Sequence, residues 1–91
     1  MAKAILVNPK DNVAVAVEAA KKGETLLVEG QGEPVTLTAV TDVPIYHKFA
    51  LGDFKKGDPV LKYGEEIGLA TEDIPKGAHV HVHNVISRSL L

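Results

Sequence analysis

Short apolar runs broken by turn-forming residues dominate the hydrophobic and polar pattern of this chain. Residues 3–8 and 13–17 are rich in β-branched and small apolar side chains, and Pro, Gly, Asn or Asp residues punctuate the pattern. Such runs predict β-strands. The segment "GQGEP" (30–34) predicts the turn of a hairpin between the apolar runs that flank it. The run "VAVAVEAAKKG" (13–23) fits either a helix or a strand, and we favour a strand with at most one helical turn near Glu18–Lys22.

One phrase recurs along the chain: a polar lead, a Lys-Gly turn and a β-prone run. It reads "EAAKKGETLLV", "GDFKKGDPVLK" and "EDIPKGAHVHV", and "TDVPIYHKFAL" starts in the same way but lacks the glycine. Glycine permits a positive φ at a turn, and alternating residues then extend as a strand. Four such units are too short and irregular for a solenoid. They predict one all-β domain over residues 1–91, with short winding strands and at most one or two helical turns.

Composition narrows the classes of function. The chain has no cysteine, which excludes disulfides, iron–sulfur ligation and thiol nucleophiles within it. A net charge of −2 with only two Tyr and two Phe gives no reason to expect nucleic acid. Apolar runs are too short to span a bilayer and no signal peptide is evident, so we expect a cytoplasmic protein. The apolar tail "VISRSLL" favours a partner chain or a homo-oligomer.

Three of the four histidines alternate with valines in "GAHVHVHNV". On a strand, His79, His81 and His83 would share one face, and Val80 and Val82 would anchor the other in the core. Same-face neighbours lie roughly 7 Å apart, so at most two of these imidazoles converge on one ion and other ligands come from elsewhere. The pattern alone also fits a solvated strand face that binds nothing.

Two further clusters carry candidate chemistry. In "YHKFALGD", His47 can move a proton while Lys48 holds a carboxylate, provided that the backbone turns there. The alternative is a surface histidine and lysine in a loop. In "PVLKYGEEIG", Tyr63 is either an acid, a base or a hydrogen-bond donor, or a half-buried ring packed on a sheet.

Taken in order and spacing, these stretches resemble the N-terminal SAF-type domain of altronate and galactarate dehydratases. The matching segments are "DNVAVAV", "DVPIYHKFAL" and "PVLKYGEEIGLATEDIPKGAHVHVHN", within residues 4–85. The resemblance implies a SAF-type β-clip fold. It also implies a small subunit that works with a large dehydratase subunit to eliminate water β to the carboxylate of a sugar acid. A two-subunit sulfolactate sulfo-lyase has a similar small subunit, so sulfite elimination stays open, as does a non-catalytic module that binds sugar acids or metal.

The same resemblance implies a divalent metal, Fe²⁺ or Mn²⁺. Removing the α-proton of a carboxylate creates a dianion that needs a cation or fixed donors nearby. The residues that we assign fall into three groups: catalytic His47, Lys48 and Tyr63; substrate-binding Lys62 and Asn84; and metal-ligating His79, His81 and His83, at most two of them on one ion.

Tyr46 departs from the family pattern, which has glycine before the His-Lys pair. A turn with positive φ would be strained by tyrosine. We therefore expect either a different local backbone or a loop that forms a different wall of the pocket.

Overall fold

The computed structural model describes all 91 residues and contains nine β-strands, no α-helix and one 3-10 turn. This confirms the all-β class with short strands. In chain order the elements are β1 (Ala2–Ile5), β2 (Val13–Ala16), β3 (Thr25–Glu29), β4 (Val35–Thr38), β5 (Lys48–Ala50), β6 (Pro59–Lys62), β7 (Glu65–Ala70), β8 (His79–Val80), β9 (Val85–Ser87) and the 3-10 turn Arg88–Leu90.

Two sheets make up the fold. Six strands pair in the order β4-β3-β1-β2-β5-β8, and three pair in the order β6-β7-β9. Every pair is antiparallel except β1 with β3. The predicted hairpin is present as β3 and β4, and a register shift between Val60 and Leu61 bends β6. The curled arrangement of short strands confirms the predicted SAF-type β-clip.

The repeated phrase marks four equivalent units of the structure. Each begins with a buried residue that bridges to its counterpart in another unit: Ala20 pairs with Val43, and Phe54 pairs with Ile74. A four-residue turn follows, and the second residue after the turn is fully buried. These second anchors are Leu26, Phe49, Val60 and Val80. Each unit therefore attaches its turn to the core on both sides.

The third residue of each turn has a positive φ. Glycine occupies this position in three units, and Tyr46 occupies it in the other with a φ of 66°. The first alternative for Tyr46, a different local backbone, is therefore wrong. Gly77 is needed for space as well as for φ, because an added Cβ would meet the carbonyl oxygen of Thr38.

Strand β5 links the two hydrophobic clusters of the core. Phe49 packs in the cluster that contains Leu26, and Ala50 packs in the cluster that contains Val80. Both β5 residues are fully buried. Residues 47 and 48, immediately before them, therefore stand on a rigid base.

The structure has no helical turn at Glu18–Lys22, so that part of the expectation is wrong. Ala20 lies there in an isolated bridge to Val43, with an irregular backbone on either side. Burial of Ala20 in the core outweighs the helix propensity of its neighbours. No helix of this structure has the length and apolar character needed to cross a bilayer.

Candidate functional site

His47 and Lys48 stand at the point where a turn becomes a strand. The His47 N–H donates to the carbonyl of Pro44 at 3.1 Å, which closes the turn. Lys48 then begins β5, opposite Val15 of β2 and Val80 of β8. The backbone therefore turns where the sequence required it to turn for both side chains to serve one site.

The histidine strand is shorter than predicted. β8 ends at Val80, and residues 81–84 form a turn closed by the Asn84 N–H donating to the carbonyl of His81 at 3.1 Å. Val82, at the tip of this turn, is 83% exposed. The expectation that Val82 anchors a strand in the core is therefore wrong, whereas Val80 is fully buried as expected.

Asn84 holds this histidine turn in place. Its side-chain Oδ1 accepts the His81 N–H at 2.9 Å, and its Nδ2 donates to the His79 carbonyl at 2.9 Å. The residue is 5% exposed, so both amide atoms are occupied inside the protein. On the other side, the His79 N–H donates to Thr41 Oγ1 at 2.9 Å. The structure gives Asn84 a positioning role, and its contact with substrate stays a prediction.

The result is a cluster of three half-buried imidazoles, His47, His79 and His81, which we call the histidine cluster. One nitrogen from each lies within 4.8 Å of the other two. His47 Nδ1 and His79 Nε2 are 2.8 Å apart, so one ring donates a hydrogen to the other. The ring centroids of His47 and His81 are 4.3 Å apart. His79 comes from β8, His81 from the turn that follows it, and His47 from the turn before β5, 32 residues away from His79.

His83 lies outside this cluster, although its ring centroid is 5.1 Å from that of His79. Of the three histidines at positions 79, 81 and 83, two thus reach a common centre, in line with the expected limit of two per ion. Imidazole nitrogens bound to one divalent ion at about 2.1 Å lie roughly 3 to 4 Å apart. The histidine cluster fits such an ion after small side-chain adjustments, and metal binding stays a prediction.

Burial and neighbouring positive groups lower the pKa values of two members of the histidine cluster, His79 and His81. Burial, then the charges of His83, His47, His81 and Lys48, lower the pKa of His79 to about 4. Desolvation, followed by the charges of His47, Lys48 and His83, lowers the pKa of His81. Neutral imidazole is the form that binds metals.

Lys48 is half-buried, and burial followed by the charge of Lys62 lowers its pKa. No carboxylate of the chain lies within ion-pair distance of its ammonium group. A partly buried cation without a counter-ion is stabilised by an incoming anion. Lys48, with the positive charge of Lys62 near it, therefore favours a negatively charged ligand.

Lys62 and Tyr63 lie together at the end of the β6–β7 hairpin. The Lys62 ammonium is 4.8 Å from the centroid of the Tyr63 ring. Tyr63 has a φ of 58° and is 61% exposed. The alternative expectation, a half-buried ring packed on a sheet, is therefore wrong. Its role in proton transfer stays a prediction.

Asp11 is a site-supporting residue that the sequence pattern did not reveal. The residue is 7% exposed, and its carboxylate accepts the N–H groups of Tyr63 at 3.0 Å and Gly64 at 2.8 Å. Thr41 was also missed. Asp11 and Asn12 stand in a turn-like "NPKDN", which indicates local capping, whereas their actual partners lie about fifty residues further along the chain.

Comparison with known proteins agrees with this fold. The family model "Altronate/galactarate dehydratase SAF domain" matches residues 2–88. Altronate dehydratase of Escherichia coli is 46% identical over 80 residues, which are 88% of this chain and 15% of that protein. The chain thus spans only about 15% of the length of the altronate dehydratases it matches.

Shorter proteins match along most of their own length. The (2R)-sulfolactate sulfo-lyase subunit alpha of Paracoccus pantotrophus is 47% identical over 58 residues, which are 64% of this chain and 87% of that protein. The subunit alpha of Chromohalobacter salexigens is 37% identical over 73 residues, which are 78% of each.

Proposed function

The chain belongs to the altronate/galactarate dehydratase SAF domain family, and we propose that it acts as the small subunit of a sugar-acid dehydratase. In this role it contributes part of a composite active site that a large dehydratase polypeptide completes. The observation that carries the proposal is the convergence of His47, His79 and His81 beside an unpaired, half-buried Lys48. These groups suit the elimination of water β to a carboxylate.

A divalent metal is the first component of the proposed site. His47, His79 and His81 would hold it, and imidazole donors favour Fe²⁺ over Mn²⁺. Such an ion, when bound, supplies a Lewis acid that stabilises negative charge developing on the substrate. Three neutral ligands leave the positive charge of the ion uncompensated, which favours an anionic substrate.

The two lysines have separate roles in the proposal. Lys62 binds the substrate carboxylate as a point charge. Lys48, whose pKa burial lowers, transfers a proton, because a lysine that loses its proton more readily is a better general base. The elimination is balanced when a base takes the α-proton, the β C–O bond breaks and the hydroxyl leaves with a proton as water.

Tyr63 and His47 complete the set of proton carriers. Tyr63 is an exposed residue whose ring lies beside the Lys62 ammonium, and in the proposal its hydroxyl protonates the departing hydroxyl. His47 is a candidate both as a metal ligand and as a proton carrier, since its nitrogen at the histidine cluster either ligates an ion or exchanges a proton. One nitrogen cannot do both at once.

A sulfolactate sulfo-lyase small subunit is the second candidate. The observation in its favour is that two proteins named as subunit alpha of that enzyme match along 87% and 78% of their own length. Elimination of sulfite also begins with removal of a proton α to a carboxylate, so the same residues serve either reaction. The leaving group distinguishes the two.

The test begins with affinity purification of the tagged chain from its source cells and mass-spectrometric identification of the polypeptide that co-purifies. The complex is then assayed with altronate, galactarate and sulfolactate, and with each component alone. We expect loss of water from a sugar acid only in the mixture. Sulfite release from sulfolactate would transfer the proposal to the second candidate.

Site variants sharpen the same assay. We expect His47→Ala and His81→Ala to lower the activity of the complex at least 100-fold, while Thr36→Ala, on the exposed face of β4, leaves it unchanged. Full activity in both histidine variants would refute the site. Calorimetry that detects binding of sugar acids or metal, in a chain with no large partner and no turnover, would instead support a binding module.

A further inference from the structure

An apolar groove borders the histidine cluster. It encloses about 530 Å³ and extends from Lys48 and His81 towards the last residues of the chain. No aspartate or glutamate lines it. Its apolar lining consists of Ile67, Val82, Val85, Ile86 and Leu90.

Large apolar side chains are exposed on both sides of the histidine cluster. Val82 is 83% exposed and follows His81, and Tyr46 is 72% exposed and precedes His47. The rings of these two histidines stack at 4.3 Å, so the chain segments that carry Tyr46 and Val82 border the same histidine pair. A polar site surrounded by water-exposed apolar groups is typical of a surface that another molecule covers.

The backbone conformation of Tyr46 also supports a covered surface. The three equivalent turns have glycine where Tyr46 sits at a φ of 66°. A non-glycine residue in this region is strained, so glycine would be the more stable choice if only the fold mattered. An exposed tyrosine kept at such a position is best explained by a contact that its ring makes with a partner, where tyrosine is often a principal anchor.

We propose that Tyr46, Val82 and the apolar groove form the docking surface for the large dehydratase polypeptide. The inference rests on the proposed function and adds to it the face through which the composite site is assembled. The segment that docks carries apolar side chains for the groove and no further positive charge beside Lys48.

Charge favours this occupant over a second copy of the chain. A twofold contact through the groove would bring Lys48 and Lys62 of one copy towards the same residues of the other, with no acid in the lining to separate them. A different polypeptide does not have to place a lysine there. The relatives named as subunit alpha also imply at least one further subunit in their own enzymes.

The first experiment uses the full chain with the photo-cross-linking residue p-benzoylphenylalanine at one position. Val82 is the test position. Val35, 51% exposed on β4, is the control because β4 and β8 form opposite edges of the six-stranded sheet. We expect irradiated cells to yield an adduct with a dehydratase polypeptide, identified by mass spectrometry, from position 82 and none from position 35.

Each other outcome has a defined meaning. Adducts with the dehydratase polypeptide from position 35 alone, or equally from both positions, overturn the docking surface but leave the proposed function standing. An adduct of two copies of the chain from position 82 overturns it in favour of self-association. Absence of any dehydratase polypeptide from both positions, and from the affinity purification, removes the docking surface and the proposed function together.

The second experiment separates docking from stability. We expect Tyr46→Gly to raise the denaturant midpoint of the isolated chain and to weaken its affinity for the purified large polypeptide at least tenfold. Gly57→Tyr, at the equivalent turn of another unit, should lower the midpoint and leave the affinity unchanged. A residue that served only the fold would change stability and leave affinity unchanged, as Gly57→Tyr should, so unchanged affinity in Tyr46→Gly overturns the role of Tyr46.

Discussion

Two turns with the same backbone serve different purposes in this protein. In the turn Lys55–Asp58, the carboxylate of Asp58 accepts the Lys55 N–H at 2.7 Å, so the last residue locks the first. The turn Pro44–His47 begins with proline, which has no N–H to satisfy. Its last position is therefore free of the locking task, and His47 contacts His79 and His81 instead.

The other two units support this interpretation. Glu24 locks the turn that begins at Lys21, by accepting its N–H at 3.0 Å, whereas the turn that begins at Pro75 ends in Ala78. An acid stands last where lysine stands first, and a non-acidic residue stands last where proline stands first. The comparison shows how a structural repeat frees one position for the histidine cluster without losing the turn.

The largest effect that we expect is a loss of metal affinity in His47→Ala without a loss of stability, because the last position of this turn does not lock it. The variant should bind Fe²⁺ or Mn²⁺ on the order of 100-fold more weakly, because one of three imidazoles is lost. Its free energy of unfolding should change by less than about 1 kcal/mol, because Ala78 occupies the same position in another proline-led turn.

Anaerobic calorimetry and urea unfolding check the two halves of this prediction separately. Thr36→Ala is the matched control on a remote strand. Equal metal affinity in wild type and His47→Ala would mean that His47 is no ligand. A large loss of stability would mean that the turn depends on His47 after all.

The second effect concerns Asn84, which holds the histidine turn as Asp58 holds its own turn. Asn84→Ala removes hydrogen bonds to the His81 N–H and the His79 carbonyl at a residue that is 5% exposed. We expect the free energy of unfolding to fall by about 2 kcal/mol. Urea unfolding measures this loss, with Asn12→Ala as a comparison variant that also loses two side-chain bonds to the backbone.

The position of the histidines should change in the same variant. The chemical shifts of the His79 and His81 rings in Asn84→Ala should move, while those of Tyr63 stay in place. Wild-type stability together with unchanged histidine shifts would show that the turn forms without the Asn84 amide.

The sequence pattern predicted the fold better than the site, and the repeated units explain why. Lys-Gly turns and apolar alternation are local signals, so they predicted the units and even indicated the one that lacks glycine. The strand over His79–His83 failed because the Asn84 side chain binds backbone groups of His79 and His81 and curls the chain. Alternation alone does not reveal such a competing hydrogen bond.

The composition of the histidine cluster depends on contacts that no local pattern contains. His47 reaches His79 because β5 pairs with β8, a pairing across some thirty residues. The attachment of Asp11 to the Tyr63 turn spans more than fifty. Each arises from tertiary structure, and the sequence supplied only the residue types that take part.

The third effect tests the locking acid directly. Asp58→Ala should lower the free energy of unfolding by about 1 kcal/mol, because the Lys55 N–H loses a charged acceptor. In the background of Lys55→Pro, which copies Pro44, the same substitution should have an effect near zero. The double-mutant cycle, measured by urea unfolding, isolates this bond. Equal losses in both backgrounds would show that Asp58 acts by some route other than the Lys55 N–H.

The smallest effect that we expect is a pH dependence of the free energy of unfolding, which arises from His79 of the histidine cluster. Burial and the neighbouring positive groups lower the pKa of His79 from 6.5 to about 4 in the folded protein. Between these values the unfolded chain binds more protons than the folded one, so the stability of the metal-free protein should fall as the pH falls from 6.5 towards 4. The contribution is modest because much of His79 is in contact with water, which screens the charges. Urea unfolding in chelator across this range should show a steeper decline for wild type than for His79→Asn, and parallel profiles would show that His79 titrates alike in both states.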